Sequence, residues 1–220
     1  MGGSTFPGAP KLLKGGLVLL DPETGAVRQV IALQYNPETL TRSFQIQAVG
    51  ESADRSQALR IKAPAVESCK LDIVLDAADA LEFPDQNADT VRFGLQPQLA
   101  VLEGLVNPAS ARLQSNNSMA GSGVLEILPM EQPLTLFVWS RTRVVPVRVT
   151  ELSITEENFG PDLNPIRAKV SLGLRVLSVN DLGFDHRGGS LFMAYLQQKE
   201  QLASKSKGGA LADFGLGGLP

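Results

Sequence analysis

The chain has 220 residues, 20 Lys and Arg against 23 Asp and Glu, a formal net charge of −3 and 43% hydrophobic residues. Roughly 100–200 residues is ordinary for one domain, and the slightly acidic balance excludes a global basic field that would draw the protein to nucleic acid or anionic lipid. Cys69 is the sole cysteine, which excludes an internal disulfide and fits a reducing compartment, so the expected location is the cytoplasm.

The opening stretch, MGGSTFPGAPKLLKGG, lacks both the apolar core of a secretory signal and the ~20 apolar residues of a membrane span. Phe6 stands where a myristoylation motif needs Ser or Thr. Residues 1–15, rich in Gly and Pro without apolar periodicity, read as a flexible arm. LVLL, DPETG and AVRQVIALQY then form two apolar runs around a Pro and Gly turn, which predicts a hairpin. LTRSFQIQAV follows as a half-buried strand, with Leu40, Phe44, Ile46 and Ala48 on one side.

From Gly50 to Glu67 the alternation stops, and an insert is expected at about 50–67. CKLDIVLDA resumes it, with Leu71, Ile73 and Leu75 inward. LQPQLAVLEGLVNP changes to helical spacing through Leu95, Leu99, Leu102 and Val106, with Pro97 in a first turn and Asn107-Pro108 as the stop. Residues 109–130, centred on SNNSMAGSG, read as a second flexible insert.

Three more strands follow in PLTLFVW, VVPVRVTELSI and LNPIRAKVSLGLRVL. In the second, the apolar residues Val145, Val147 and Val149 are odd-numbered whereas Leu152 and Ile154 are even, which predicts a bulge near Thr150 and Glu151. In the third, Ile166, Ala168, Val170, Leu172, Leu174 and Val176 alternate with Arg167, Lys169, Ser171, Gly173 and Arg175, an apolar face backed by a basic one. SLFMAYLQQKEQLAS predicts a helix with Ser190 as N-cap and Leu191, Phe192, Tyr195, Leu196 and Leu202 on one face. Behind it runs a Gly-rich tail in which Leu211, Phe214, Leu216 and Leu219 are spaced for docking along a partner's groove.

The expected class is mainly β, a β-sandwich or barrel with one internal helix and a C-terminal helix. Its domain spans residues 16–183, with the helix and tail over 184–220. Catalytic chemistry is not expected. His186 is the sole histidine, so one chain supplies no multi-histidine metal site, and a Ser-His-Asp relay would have to use it. Cys69 reads as a packed thiol. Asp72, Asp76, Asp79, Asp85 and Asp89 lack the spacing of a calcium loop. AGSGVLE lacks the Lys and Ser or Thr of a phosphate loop. Neither metal nor other cofactor is expected.

The order of LQYNPETL, LDIVLDAADAL, LQPQLAVLEGLVNP, PLTLFVW and LNPIRAKVSLGLRVL, over about residues 27–182, resembles the tube-protein family of contractile injection systems, which are phage-tail-like machines. Ser140 and Pro146 stand where members often show Gly, and the LysM module that baseplate members often append is not seen after residue 183; the C-terminal helix and apolar tail point to the adaptor branch between tube and baseplate. It implies a tail-tube β-barrel assembling as a homohexameric ring, with adjacent tube, spike and baseplate subunits as partners. It implies neither nucleic-acid binding nor membrane insertion. Particles would assemble in the cytoplasm, whether retained or released on lysis. On this reading Arg167, Lys169, Ser171 and Arg175 form a lumen or inter-ring face. Arg55, Arg60 and Lys62 belong to an inter-subunit loop. The alternative is a monomeric or dimeric β-sandwich binding carbohydrate or peptide, although aromatic residues make up only 5% of the chain and stacking platforms are scarce.

Overall fold

Alternating apolar residues create strands that each need a partner on both sides, and the order in which they find one sets this fold. The computed structural model describes residues 13–21, 24–48, 60–121 and 132–219. Among these, β1 (Gly16–Leu20), β2 (Val27–Ala32), β3 (Leu40–Ala48), β4 (Ile61–Asp76), β5 (Leu134–Ser140), β6 (Arg143–Phe159) and β7 (Pro165–Val176) form one sheet in the order β2-β1-β5-β6-β7-β4-β3. Every pairing is antiparallel. β2 and β3 are the two ends, and no ladder joins them among the described residues. Of the expected flexible arm over residues 1–15, residues 1–12 lie outside the described residues, whereas Gly15 is buried and its N–H donates to Asn36 Oδ1 at 2.9 Å, so the end of the arm belongs to the fold.

β7 is an interior strand between β6 and β4, and its even residues are the most deeply buried of the sheet: Ala168, Val170, Leu172 and Leu174 are at most 1% exposed. The same apolar layer takes Leu71, Ile73 and Leu75 from β4, Val145 and Val147 from β6, Phe137 from β5 and Leu17 from β1. Helices supply the rest. Between β4 and β5 the chain forms α1 (Ala78–Leu81), a 3-10 turn (Pro84–Gln86), α2 (Ala88–Phe93), α3 (Gln96–Glu103) and α4 (Ser110–Gly121). α3 carries Pro97 in its first turn as expected, and Leu95, Leu99, Leu102 and Leu105 enter the core.

The parity switch in β6 is a bulge. Its register against β7 shifts between Val149 and Glu151, leaving Thr150 as the extra residue, so the inward set passes from odd to even numbers. Gly173 lies opposite. A Cβ there would sit 2.9 Å from Glu151 Cβ and 3.2 Å from Thr150 Oγ1, so the bulge needs a residue without a side chain at this point. Gly173→Val should therefore cost about 1–3 kcal/mol, as overpacking a filled site does. Urea unfolding measures it, and an unchanged midpoint would mean that Thr150 can move aside freely.

Two expected inserts turn out partly regular. Residues 61–67 belong to β4 and pair with β3, Ala48 opposite Ile61 and Phe44 opposite Glu67. Pro64 and the inward Glu67 hid the alternation, and the register shifts near Gln47 give Pro64 the irregular pairing that proline tolerates. Residues 110–121 form α4, in which no residue is buried, so no apolar period marked it. Residues 49–59 and 122–131 lie outside the described residues.

After β7 come α5 (Val179–Leu182) and α6 (Arg187–Ala203). α6 begins earlier than Ser190: the N-cap is His186, whose Nδ1 accepts from the Gly188 N–H at 3.0 Å. The Gly188-Gly189 pair looks like a breaker in sequence but lies buried inside the helix, and a Cβ on Gly189 would collide with the Gly183 carbonyl. Phe192 and Tyr195 are buried as expected, whereas Leu202 is half exposed.

Candidate functional site

On β7, Arg167, Lys169, Ser171 and Arg175 all face away from the apolar layer, as their parity predicts. They do not form a basic face. Strand pairing places Asp76 beside Arg167 and Asp72 beside Ser171 from β4, and Glu157 beside Arg167 from β6. Lys169 Nζ lies 2.8 Å and Arg167 Nε 3.7 Å from the Glu157 carboxylate. Arg175 Nη2 donates to Asp181 Oδ1 at 2.7 Å, and Lys70 Nζ to Glu151 Oε2 at 3.0 Å. Between the ion pairs lie Ser153, Thr155, Ser171 and Gly173, all short. The result is a hydrophilic surface of mixed sign, in which Arg148 of β6 lies directly opposite Arg175. Single-strand parity revealed the cations but could not reveal the acids that neighbouring strands bring.

A second cluster escaped the sequence reading. Glu67 on β4 is 3% exposed, yet its carboxylate accepts from Arg42 Nε at 2.8 Å, from Lys199 Nζ at 2.9 Å and from the Tyr195 hydroxyl at 3.1 and 3.2 Å. Lys199 Nζ also stands 5.2 Å from the Phe44 ring centre and Arg42 Cζ 5.1 Å from it, so the ring is flanked by two cations. Burial pushes the Glu67 carboxyl up, but Lys199 and Arg42 outweigh it and hold the group below the usual carboxylate range. The cluster joins β3, β4 and α6. At the other end of the helix Arg187 Nη1 donates to the Gly25 carbonyl, in the turn between β1 and β2, at 2.5 Å. α6 therefore crosses the sheet and is fastened near both edges. The available signals were Arg42 sharing the parity of Leu40 and Phe44, and Tyr195 and Lys199 four residues apart on one helix face.

The residues considered for catalysis stay apart. Cys69 is 2% exposed, burial pushes its thiol up, and no hydrogen bond among the described residues joins it to His186. His186 caps α6 and lines an open cleft of about 610 Å³ between the end of α3 (Leu105, Val106) and the bulge of β6 (Thr150, Glu151). No Phe, Tyr or Trp ring lines this cleft among the described residues. Among the described residues no group of three or more His, Cys, Asp or Glu could hold a metal ion. No helix of the described residues is long and apolar enough to cross a membrane.

Of the expected inter-subunit loop, Arg60 is exposed just before β4, Lys62 is exposed within it, and Arg55 lies outside the described residues. In the tail, a 3-10 turn over Leu211–Phe214 is closed by Asp213 Oδ2 accepting from the Ala210 N–H at 2.8 Å. Leu211, Phe214, Leu216 and Leu219 are 43%, 76%, 43% and 76% exposed.

No known family model matches the chain, and no curated protein matches it. Among solved structures, the chain is similar to one in the tail of an empty gene transfer agent particle with C6 symmetry, at 10% identity and a TM-score of 0.30, over 74% of this chain and 90% of that one. It is also similar to a chain in the virion of the native gene transfer agent particle, at 11% identity and a TM-score of 0.27, over the same shares. Superposition this loose assigns neither fold nor role.

Proposed function

We propose that the chain is a structural ring subunit of a contractile injection system, forming the start of the inner tube or the adaptor between tube and baseplate. It acts by strand pairing between copies, without turnover and without a cofactor. The observation that carries this reading is the pair of sheet ends, β2 and β3, that no further strand pairs among the described residues. β2 leaves Val27 and Val30 61% and 64% exposed, and the nine-residue β3 leaves Ile46 71% exposed. Monomeric proteins ordinarily blunt or cover such edges, because unpaired N–H and C=O groups recruit other strands. With β2 of one copy beside β3 of the next, the contact is heterologous and closes into a ring when the rotation allows. Six copies follow from the family resemblance.

In that ring the mixed-charge face of β4, β7 and β6 is the lumen or inter-ring wall, closing a barrel from many subunits. Adjacent tube, spike and baseplate subunits are the other partners, particle assembly takes place in the cytoplasm, and neither nucleic acid nor a membrane is engaged.

The test uses Gln29→Pro and Val30→Pro, made separately. Adjacent strand residues point their N–H groups to opposite sides, so one substitution breaks the β1 ladder and the other removes only an outward donor. Native mass spectrometry of the parent should give a six-chain mass. The outward variant should keep the monomer fold and lose that mass. A parent that stays a monomer at micromolar concentration and never enters particles would overturn the reading.

A further inference from the structure

α6 delivers the C-terminal segment over the edge of its own sheet. Its first turn is tied to the β1–β2 turn through Arg187, and Lys199 is tied to Glu67 on β4, whose other neighbour is the end strand β3. Beyond that point every residue from Glu200 to Leu219 is exposed, and none of the segment enters the buried core of the described residues. It nonetheless has form: the capped turn at Leu211–Phe214 presents Leu211 and Phe214, preceded by Lys205 and Lys207 with no acidic residue between Gln201 and Ala212.

The complementary surface lies on the lobe of α1, the 3-10 turn and α2. From Asp76 to the end of α2 at Phe93 the chain has five acidic residues, Asp76, Asp79, Glu82, Asp85 and Asp89, and one basic residue, Arg92, whose guanidinium lies over the Phe93 ring at 4.9 Å. Among them Phe83 is 57% and Val91 52% exposed, uncovered apolar groups in an acidic rim. This lobe follows the far end of β4: nine residues separate Glu67 from Asp76, about 30 Å at 3.3 Å per residue. Root and lobe therefore sit at opposite ends of one strand, which is the placement of a head-to-tail contact and not of a segment folding back where it starts.

We infer that the C-terminal segment of one copy docks on the α1–α2 lobe of a second copy, with Leu211 and Phe214 against Phe83 and Val91 and with Lys205 and Lys207 among the rim carboxylates. The contact is heterologous, so it links copies in series. It stands on the helix path and on charge, independently of pairing between β2 and β3.

Zero-length carbodiimide coupling of the full chain tests it, because that reagent joins an amine only to a carboxylate already in contact. Chains labelled with nitrogen-15 are mixed with unlabelled chains before coupling, so a link between copies carries both isotopes. Mixed-isotope links from Lys205 or Lys207 to Glu82, Asp85 or Asp89 are expected. Lys207→Glu should lower their yield about tenfold, since juxtaposed like charges are strongly disfavoured. Combining Lys207→Glu with Asp85→Lys should restore it, with amine and carboxylate exchanged between the same two positions. Links confined to one isotope would mean the segment folds onto its own lobe. Links only to other proteins or other surfaces, absence of links at high micromolar concentration, or failure of the double reversal would each overturn the inference. The outward β2 variant should retain these links even where the six-chain mass is gone.

Discussion

Replacing Glu67 with alanine is expected to cost the subunit about 3–5 kcal/mol at neutral pH, the range for removing one partner of a buried ion pair. The carboxylate is 3% exposed and receives bonds from Arg42, Lys199 and Tyr195, so its loss strands two cations against an apolar layer and loosens α6. The effect should depend on pH in a defined direction. The folded carboxyl titrates below its unfolded value of about 4.3, so its contribution is complete above that value and disappears as pH falls through the lower folded one. Urea unfolding of parent and Glu67→Gln at pH 7 and in acid below the folded value measures the difference. It should be large at pH 7 and small at acid pH. The same gap at both would show that Glu67 acts through shape and not charge.

Two adjacent residues on β7 should answer mutation in opposite ways. Leu172 is 1% exposed at the centre of the apolar layer, with Leu71 and Leu152 as its strand neighbours. Leu172→Ala should lose about 2–5 kcal/mol, the range for large-to-small changes in a filled core. Ser171 faces outward between Asp72 and Ser153, and Ser171→Ala should stay within about 0.5 kcal/mol. Thermal or denaturant unfolding gives both numbers. Comparable losses at the two positions would mean that both faces of this strand are packed.

The local part of this fold was legible because local rules wrote it. The parity of Ile166 to Val176 fixed which face is buried, the change of parity after Val149 marked the bulge, and the spacing of Leu95, Leu99 and Leu102 identified α3. What stayed hidden depends on contacts remote in sequence. Glu67 and Pro64 interrupt an alternation that β3 restores by pairing, and α4 buries nothing, so no period announces it. The start of α6 was misplaced because Gly188-Gly189 reads as a stop until Gly183 is seen against it. The charge balance of the β7 face required knowing which strands flank it. The Glu67 cluster joins residues 25 and 132 positions apart, a separation that no window along the chain samples.

The double fastening of α6 also makes the helix a gauge of length. Its two ends hold the β1–β2 turn and β4 a fixed distance apart, so the number of residues between Arg187 and Lys199 defines a chord across the twisted sheet. A helix advances about 1.5 Å and turns about 100° per residue. Adding or removing a single residue between those ends would turn Lys199 by about 100° away from Glu67 while Arg187 stayed in place. The span of α6 is thereby a quantised dimension of the subunit, set in whole residues, to which the width of its sheet is cut.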